Sequence, residues 1–200
     1  MPLPSITLLP PSARPPAQLH YSCVPCSLGL VLLVTRSDAP AANTSALPPL
    51  AVLYFGDTAA PLVAELQRCY PQSELVQDDA GLASLVQAVL ATLQDPAAAH
   101  RVPLVLAGTA FQQKVWQALC RIPAGSTLSY SELAAQLGQA KAVRAVASAN
   151  GANEISLLVP CHRLIGKSGA LTGYRWGLAR KQALLALEAP ASQRLLTSGA

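Results

Sequence analysis

Apolar positions in this chain form short unbroken runs and spaced stripes, and the pattern changes character near residue 108. Residues 28–34 and 50–55 are runs rich in Val and Leu, of a length that predicts buried strands. Between them, 36–49 is full of Ser, Asp, Asn and Pro and predicts a long loop. Two helical patterns follow. In the second, Leu82, Leu85, Val86, Val89, Leu90 and Leu93 recur with helical spacing and mark one apolar stripe. Residues 102–106 predict a strand that closes this first unit. No internal repeat is present.

Beyond residue 108 the signals are helix signals. Thr109 and Gln112 predict a capping box for a helix running to about Arg121, with Phe111, Val115, Leu119 and Ile122 inward. Residues 123–126 (PAGS) predict a turn. Ser129 and Glu132 form a second capping pair, Leu128 is placed to staple onto Leu133, and Gly138 suits the position just past the helix end. A third helix is predicted over about 140–150, with Val143, Val146, Ala147 and Asn150 inward and Lys141, Arg144 and Ser148 on another face. Its alanines make it slim, so it can enter a narrow groove with Arg144 as its one long probe. Two short helices joined by a Gly-containing turn, the second basic, fit a helix-turn-helix, and equally a packing hairpin that touches no nucleic acid. Residues 155–159 predict a buried strand that delivers Pro160, Cys161, His162 and Arg163 into the interior.

Composition narrows the class. Two hundred residues at 52% hydrophobic sustain a core, and the apolar runs fall short of the ~20 residues that span a bilayer. The first sixteen residues hold six prolines and no basic leader pattern, so no secretion signal is expected, and residues 1–18 predict a disordered arm. Residues 189–200 predict a loose tail. Five cysteines at irregular spacing do not make a disulfide framework, which places the chain inside a cell. Cys23 and Cys26 raise the idea of zinc with His20, Cys69 or His100, but no second pair completes such a site. Charge is uneven. Residues 1–100 carry three Arg against seven acids (−4), and residues 101–200 carry eleven Lys and Arg against three acids (+8), which points to a polyanion-binding second half.

Cys161 needs a base or a positive field to react as thiolate. His162 is adjacent in sequence, and neighbouring side chains usually diverge, so a water is a natural bridge. Among the three acids of the second half, Glu132 is spent on a helix start and Glu154 lies beside the predicted strand. That leaves Glu188 as the best partner to orient His162. A Cys in such an apolar setting is also, commonly, an inert core residue.

The stretch 158–165 (LVPCHRLI) resembles the active-site motif of the O6-alkylguanine-DNA alkyltransferases, also called methylated-DNA–protein cysteine methyltransferases. The resemblance runs in order through 108–116 (GTAFQQKVW), 122–130 (IPAGSTLSY), 142–146 (AVRAV), 169–174 (GALTGY), Arg180-Lys181 and 184–188 (LLALE), about eighty residues. The first half is similar only in outline, with 26–29 (CSLG) opening a strand. The resemblance implies an α+β fold: a small N-terminal β-sheet with helices, ribonuclease H-like, over 19–107, then a mostly helical domain with a helix-turn-helix over 108–188. It implies direct repair of O6-alkylguanine, and of O4-methylthymine, by irreversible transfer to Cys161. His162 would act through a water, Glu188 would orient it, and Asn153 would brace the turn. Tyr130 would rotate the target phosphate and bond the extruded base, Arg144 would replace that base in the stack, and Tyr174 would wall the pocket. Backbone groups near Leu164 and Arg175 would complete it. It implies a monomer acting on double-stranded DNA in a bacterial cytoplasm or a nucleus, with no metal and no cofactor. The rival reading is a non-catalytic binder of alkylated DNA; such relatives lack the acceptor cysteine. Arg175-Trp176 is bulkier than the residues some members carry there, which bears on the size of alkyl group accepted.

Overall fold

The computed structural model describes residues 3–11, 13–39 and 47–189. In chain order the elements are β1 (Ile6–Leu9), β2 (Gln18–Cys26), β3 (Gly29–Arg36), β4 (Leu50–Gly56), α1 (Ala59–Cys69), β5 (Glu74–Gln77), α2 (Ala83–Gln94) and β6 (Leu104–Ala107). They continue as α3 (Ala110–Cys120), β7 (Leu128–Ser129), α4 (Tyr130–Gln136), α5 (Val143–Gly151), β8 (Leu164–Ile165) and α6 (Leu178–Glu188). The fold is mixed α+β. Six strands form one sheet in the order β1-β6-β4-β3-β2-β5, and β7 and β8 pair separately.

The central strands read as continuous apolar runs because both sheet faces are covered. Val31, Leu33, Leu53 and Phe55 enter one buried cluster, while Leu32, Val34, Val52 and Tyr54 enter another on the opposite face. The first cluster runs from the sheet through α2 into the helices of the second half and includes Cys161. Sheet and reactive segment therefore share one core.

Three expectations are corrected. The Pro-rich start is not simply a disordered arm: Ile6–Leu9 pairs in parallel with β6, and β2 begins at Gln18. Prolines flank that strand rather than interrupt it, so its donors stay free for the ladder. Residues 155–159 are not a strand. They form a tight turn that meets the sheet backbone at a bridge between Leu53 and Ile155, with Leu157 at φ 70°. On α5, which starts at Val143, Ala147 is exposed and Ala149 takes the inward place beside Val146 and Asn150. The hairpin β2–β3 and the edge strand β5 went unread. On β2, Cys23 packs on one face and Cys26 on the other, as residues three apart must. Among the described residues no cluster of three or more His, Cys, Asp or Glu is placed to hold a metal. Among them also, no helix is long and apolar enough to cross a membrane. The expected tail beyond Ala189 lies outside the described residues.

Both capping boxes form, with each N-cap oxygen accepting from the third helical N–H and the Gln112 or Glu132 side chain reaching back. Gly138, at φ 72°, closes α4: its N–H bonds Ala135 O, and Gln139 N–H bonds Ala134 O. This is the paired pattern of a Schellman end, which favours glycine.

Candidate active site

The reactive segment is held from below by one side chain. Asn153 Oδ1 accepts from the Ile155 N–H at 3.0 Å, and its Nδ2 donates to Val159 O at 2.9 Å. These bonds take up backbone groups that a strand ladder would have used, which is why an apolar run folds as a turn. Beside it, the Leu53 N–H donates to Glu154 O at 2.7 Å, and the Tyr54 and Tyr70 hydroxyls both donate to the Glu154 carboxylate. The turn is thus docked on β4, past the point where that strand pairs with β6. Cys161–Arg163 is one turn of 3-10 helix, and β8 then pairs with β7 so that Tyr130 begins α4 close by.

A cavity of about 450 Å³ opens at Cys161, within the ordinary size range of small-ligand sites. Tyr130, Asn150, Asn153, Ser156, Tyr174 and Trp176 line it with the thiol. Cys161 is 5% exposed. Burial raises its pKa above the ordinary thiol value, against the opposing pull of the Asn153 amide, the Lys181 ammonium and two backbone N–H groups. The resting group is therefore a thiol.

His162 is fully buried, and its Nε2 lies 2.9 Å from Glu188 Oε1. Glu188 also receives a fork from Arg163: Nε at 2.9 Å to Oε2 and Nη2 at 2.7 Å to Oε1. Burial pushes the Glu188 carboxyl up, but hydrogen bonds from His162 and Arg163 outweigh it and bring the pKa down to about 2. Burial also lowers the His162 pKa, more than Glu188 raises it, so the ring is neutral. With Nε2–H committed to Glu188, the lone pair sits on Nδ1, which has no partner among the described residues. No direct bond joins it to Cys161.

The other expected residues fall as follows. Tyr174 lines the cavity with its hydroxyl buried and without a hydrogen bond of normal geometry. Arg144 is exposed on α5, outside the cavity lining. Leu164 is buried in β8, also outside the lining, and its carbonyl accepts from Lys181 Nζ at 2.6 Å. Arg175 reaches the rim, but its guanidinium turns to Glu65 on α1.

Sequence reasoning missed Arg163, Lys181 and Asn150. Lys181 is buried and donates to Leu164 O and, at 2.7 Å, to Thr172 O. Its signal was present: Lys181, Leu184 and Glu188 share the inward face of α6 at helical spacing. Asn150 is buried, its Nδ2 3.5 Å from Cys161 O and its Oδ1 unpartnered. Its signal too was present, as the one polar residue among the four positions that spacing places inward on α5.

The family model described as "6-O-methylguanine DNA methyltransferase, DNA binding domain" matches residues 110–190. An inducible methylated-DNA–protein-cysteine methyltransferase of Bacillus subtilis is 47% identical over 126 residues, 63% of this chain and 70% of that protein. The chain belongs to the methylated-DNA–protein-cysteine methyltransferase family. Another member, the bifunctional transcriptional activator/DNA repair enzyme Ada of Escherichia coli, is 39% identical over 88% of this chain and 47% of its own length. The crystal structure of the Mycobacterium tuberculosis O6-methylguanine methyltransferase matches with TM-score 0.63 and 34% identity over 90% of this chain and 99% of that one. A structure of the same organism's protein in complex with DNA matches with TM-score 0.62, at 34% identity over 88% and 99% of the two chains. This methyltransferase-family chain spans about half the length of several curated relatives it matches.

Proposed function

We propose that this chain repairs DNA by moving the alkyl group of O6-alkylguanine, and of O4-methylthymine, irreversibly onto Cys161. The observation that carries the reading is the arrangement at one cavity: a buried thiol, and behind it a neutral His162 with a free Nδ1 and its Nε2–H held by Glu188. Relatives named as methylated-DNA–protein-cysteine methyltransferases support it.

The chemistry follows from the groups. The Cys161 proton passes to His162 Nδ1 through a bridging water, and Glu188 stabilises the imidazolium that forms. The sulfur attacks the alkyl carbon, a C–S bond forms, and the C–O6 bond breaks with its electron pair going to the base. Proton return leaves unmodified guanine and neutral histidine. A thioether resists hydrolysis, so each molecule acts once.

The alkyl carbon is hidden in a duplex, and extruding the base costs a few kcal/mol. In this reading α4 and α5 act as a helix-turn-helix, and Arg144 enters the stack to offset part of that cost. Tyr130 turns the target phosphate and bonds the extruded base, and Tyr174 forms a wall. Backbone groups near Leu164 and Arg175 hold the base edge.

Intact-mass measurement after incubation with a duplex carrying one O6-methylguanine tests this. One methyl mass per chain, saturating and absent in Cys161→Ala, is the expected result. An unmodified chain that still binds the lesion tightly would replace this reading with a non-catalytic damage binder.

A further inference from the structure

Two walls of the cavity rest on one residue of the sheet, while Tyr130, Ala147, Asn150 and Gly151 of α4 and α5 line another side. One wall is the turn that Asn153 braces, contributing Asn153, Ser156 and Cys161; the other is the 172–176 segment, contributing Tyr174, Arg175 and Trp176. Tyr54, fully buried at the end of β4, touches each. Its hydroxyl donates to Glu154 Oε1 at 2.9 Å, next to Asn153 in the first wall. Its ring lies 4.7 Å from that of Trp176 in the second wall, tilted by 38°. The Arg175 guanidinium packs on both rings, 4.8 Å from the Tyr54 centroid and 5.0 Å from the Trp176 centroid. It is held there by Glu65 of α1. Glu65 carries its charge firmly, since hydrogen bonds from Arg68 and then Arg175 bring its pKa to about 2. Further along, Arg180 ties the Trp176 carbonyl to Leu28 O and Asp57 of the N-terminal half. The two walls also meet directly, because Trp176 Nε1 donates to Ser156 Oγ.

A wall fixed this way cannot swing aside without breaking an ion pair and uncovering two stacked rings. We infer that the N-terminal half sets the size of alkyl group the cavity admits, with Tyr54 and Glu65 as positioning residues that hold Arg175 and Trp176 against the site. This rests on the transferase reading and adds a specificity role for residues that touch neither the thiol nor the base. The chemistry at Cys161 is the same for a small and a large alkyl carbon. Only the room beside it differs, and Trp176 is one of the residues that bound that room.

The test compares transfer rates from duplexes carrying O6-methylguanine or O6-butylguanine, by intact mass, for the unaltered chain, Tyr54→Leu and Glu65→Gln. Releasing the wall is expected to raise the butyl-to-methyl rate ratio about tenfold in Tyr54→Leu, the scale of a methylene or two of pocket room. A smaller rise in the same direction is expected in Glu65→Gln. A purely structural role would lower both rates in step; a ratio unchanged in a folded variant, judged by near-ultraviolet circular dichroism, would overturn the inference. If Tyr54→Leu does not fold, the partly exposed Glu65→Gln decides alone. Absence of any transfer by the unaltered chain would instead remove the functional reading, and this inference with it.

Discussion

The Gly125 backbone N–H points at the Glu188 carboxylate, 3.4 Å from Oε2, and a Cβ on Gly125 would come within 2.8 Å of the Glu188 carbonyl oxygen. The turn before β7 and the end of α6 are therefore in contact, and the contact falls on the carboxylate that holds His162. Gly125 sits at φ 78° in the third position of a turn closed by Ser126 N–H to Pro123 O. That position favours glycine.

Gly125→Ala is expected to cost about 2 kcal/mol through its left-handed backbone alone. It should also push the end of α6 away from His162. Chemical denaturation and single-turnover methyl transfer measure the two effects. Loss of stability with an unchanged transfer rate would show that the Glu188 position tolerates the shift.

Glu188 is the shared acceptor of His162 and Arg163, so its removal has two consequences. Glu188→Gln leaves the buried Arg163 without a counter-charge, at a cost of about 3 kcal/mol. It also weakens His162 as a base, lowering transfer about a hundredfold. The pH dependence has a fixed sign. The folded carboxyl, at about 2, lies below its ordinary 4.5, so its contribution is complete above about 4.5 and is lost as pH falls towards 2. His162 adds a limb in the same sense, because its folded pKa lies below 6.5 and the unfolded chain takes up that proton first. Urea midpoints between pH 7 and pH 2 should fall through both windows in the unaltered chain. Glu188→Gln should make the lower limb shallower, the remainder coming from other paired carboxylates such as Glu65; an identical acid profile in the two proteins would contradict the assignment.

Much of this site was legible in sequence because its signals are local. Thr109 with Gln112, and Ser129 with Glu132, each announce a helix start within four residues, and Gly138 marks an end. Glu188 could be chosen because the second half holds so few acids. What escaped was settled by partners far along the chain. Ile6–Leu9 becomes a strand only because β6, nearly a hundred residues later, offers an edge. The run 155–159 looks like a strand, and turns because the Asn153 side chain satisfies the backbone there. The resemblance implies a pocket contact through backbone groups near Arg175 and is silent on its side chain. That the guanidinium goes to Glu65 is something no local pattern could have indicated.

Asn153 gives a separable prediction. Asn153→Asp keeps an acceptor for the Ile155 N–H but removes the donor to Val159 O, and sets a negative charge beside the thiol. The turn is expected to lose about 1 kcal/mol, since Val159 O loses the amide donor but keeps the Cys161 N–H at 2.7 Å. The thiol pKa should rise further, since the amide that favoured the thiolate becomes a carboxylate that opposes it. Iodoacetamide labelling of Cys161, followed by peptide mass across pH 7–10, should shift to higher pH. Labelling that overlays the unaltered chain would place Asn153 outside the thiol's electrostatics and leave it only the turn.

Lys181 tests whether the cavity field matters for reaction as well as for folding. Its ammonium ties β8 to the 172–176 wall through Leu164 O and Thr172 O, and it favours the Cys161 thiolate. Met has similar length and no donor. Lys181→Met is therefore expected to strand the buried Leu164 carbonyl and release that of the exposed Thr172, at a cost of about 1–3 kcal/mol. Removing a cation near the thiol should also raise the Cys161 pKa and move the pH–rate curve for methyl transfer to higher pH. The two effects separate at a temperature where both proteins are folded. A curve displaced to higher pH, with its plateau preserved, assigns Lys181 to thiolate stabilisation. Superimposed curves alongside a lower unfolding midpoint would confine it to holding the wall in place.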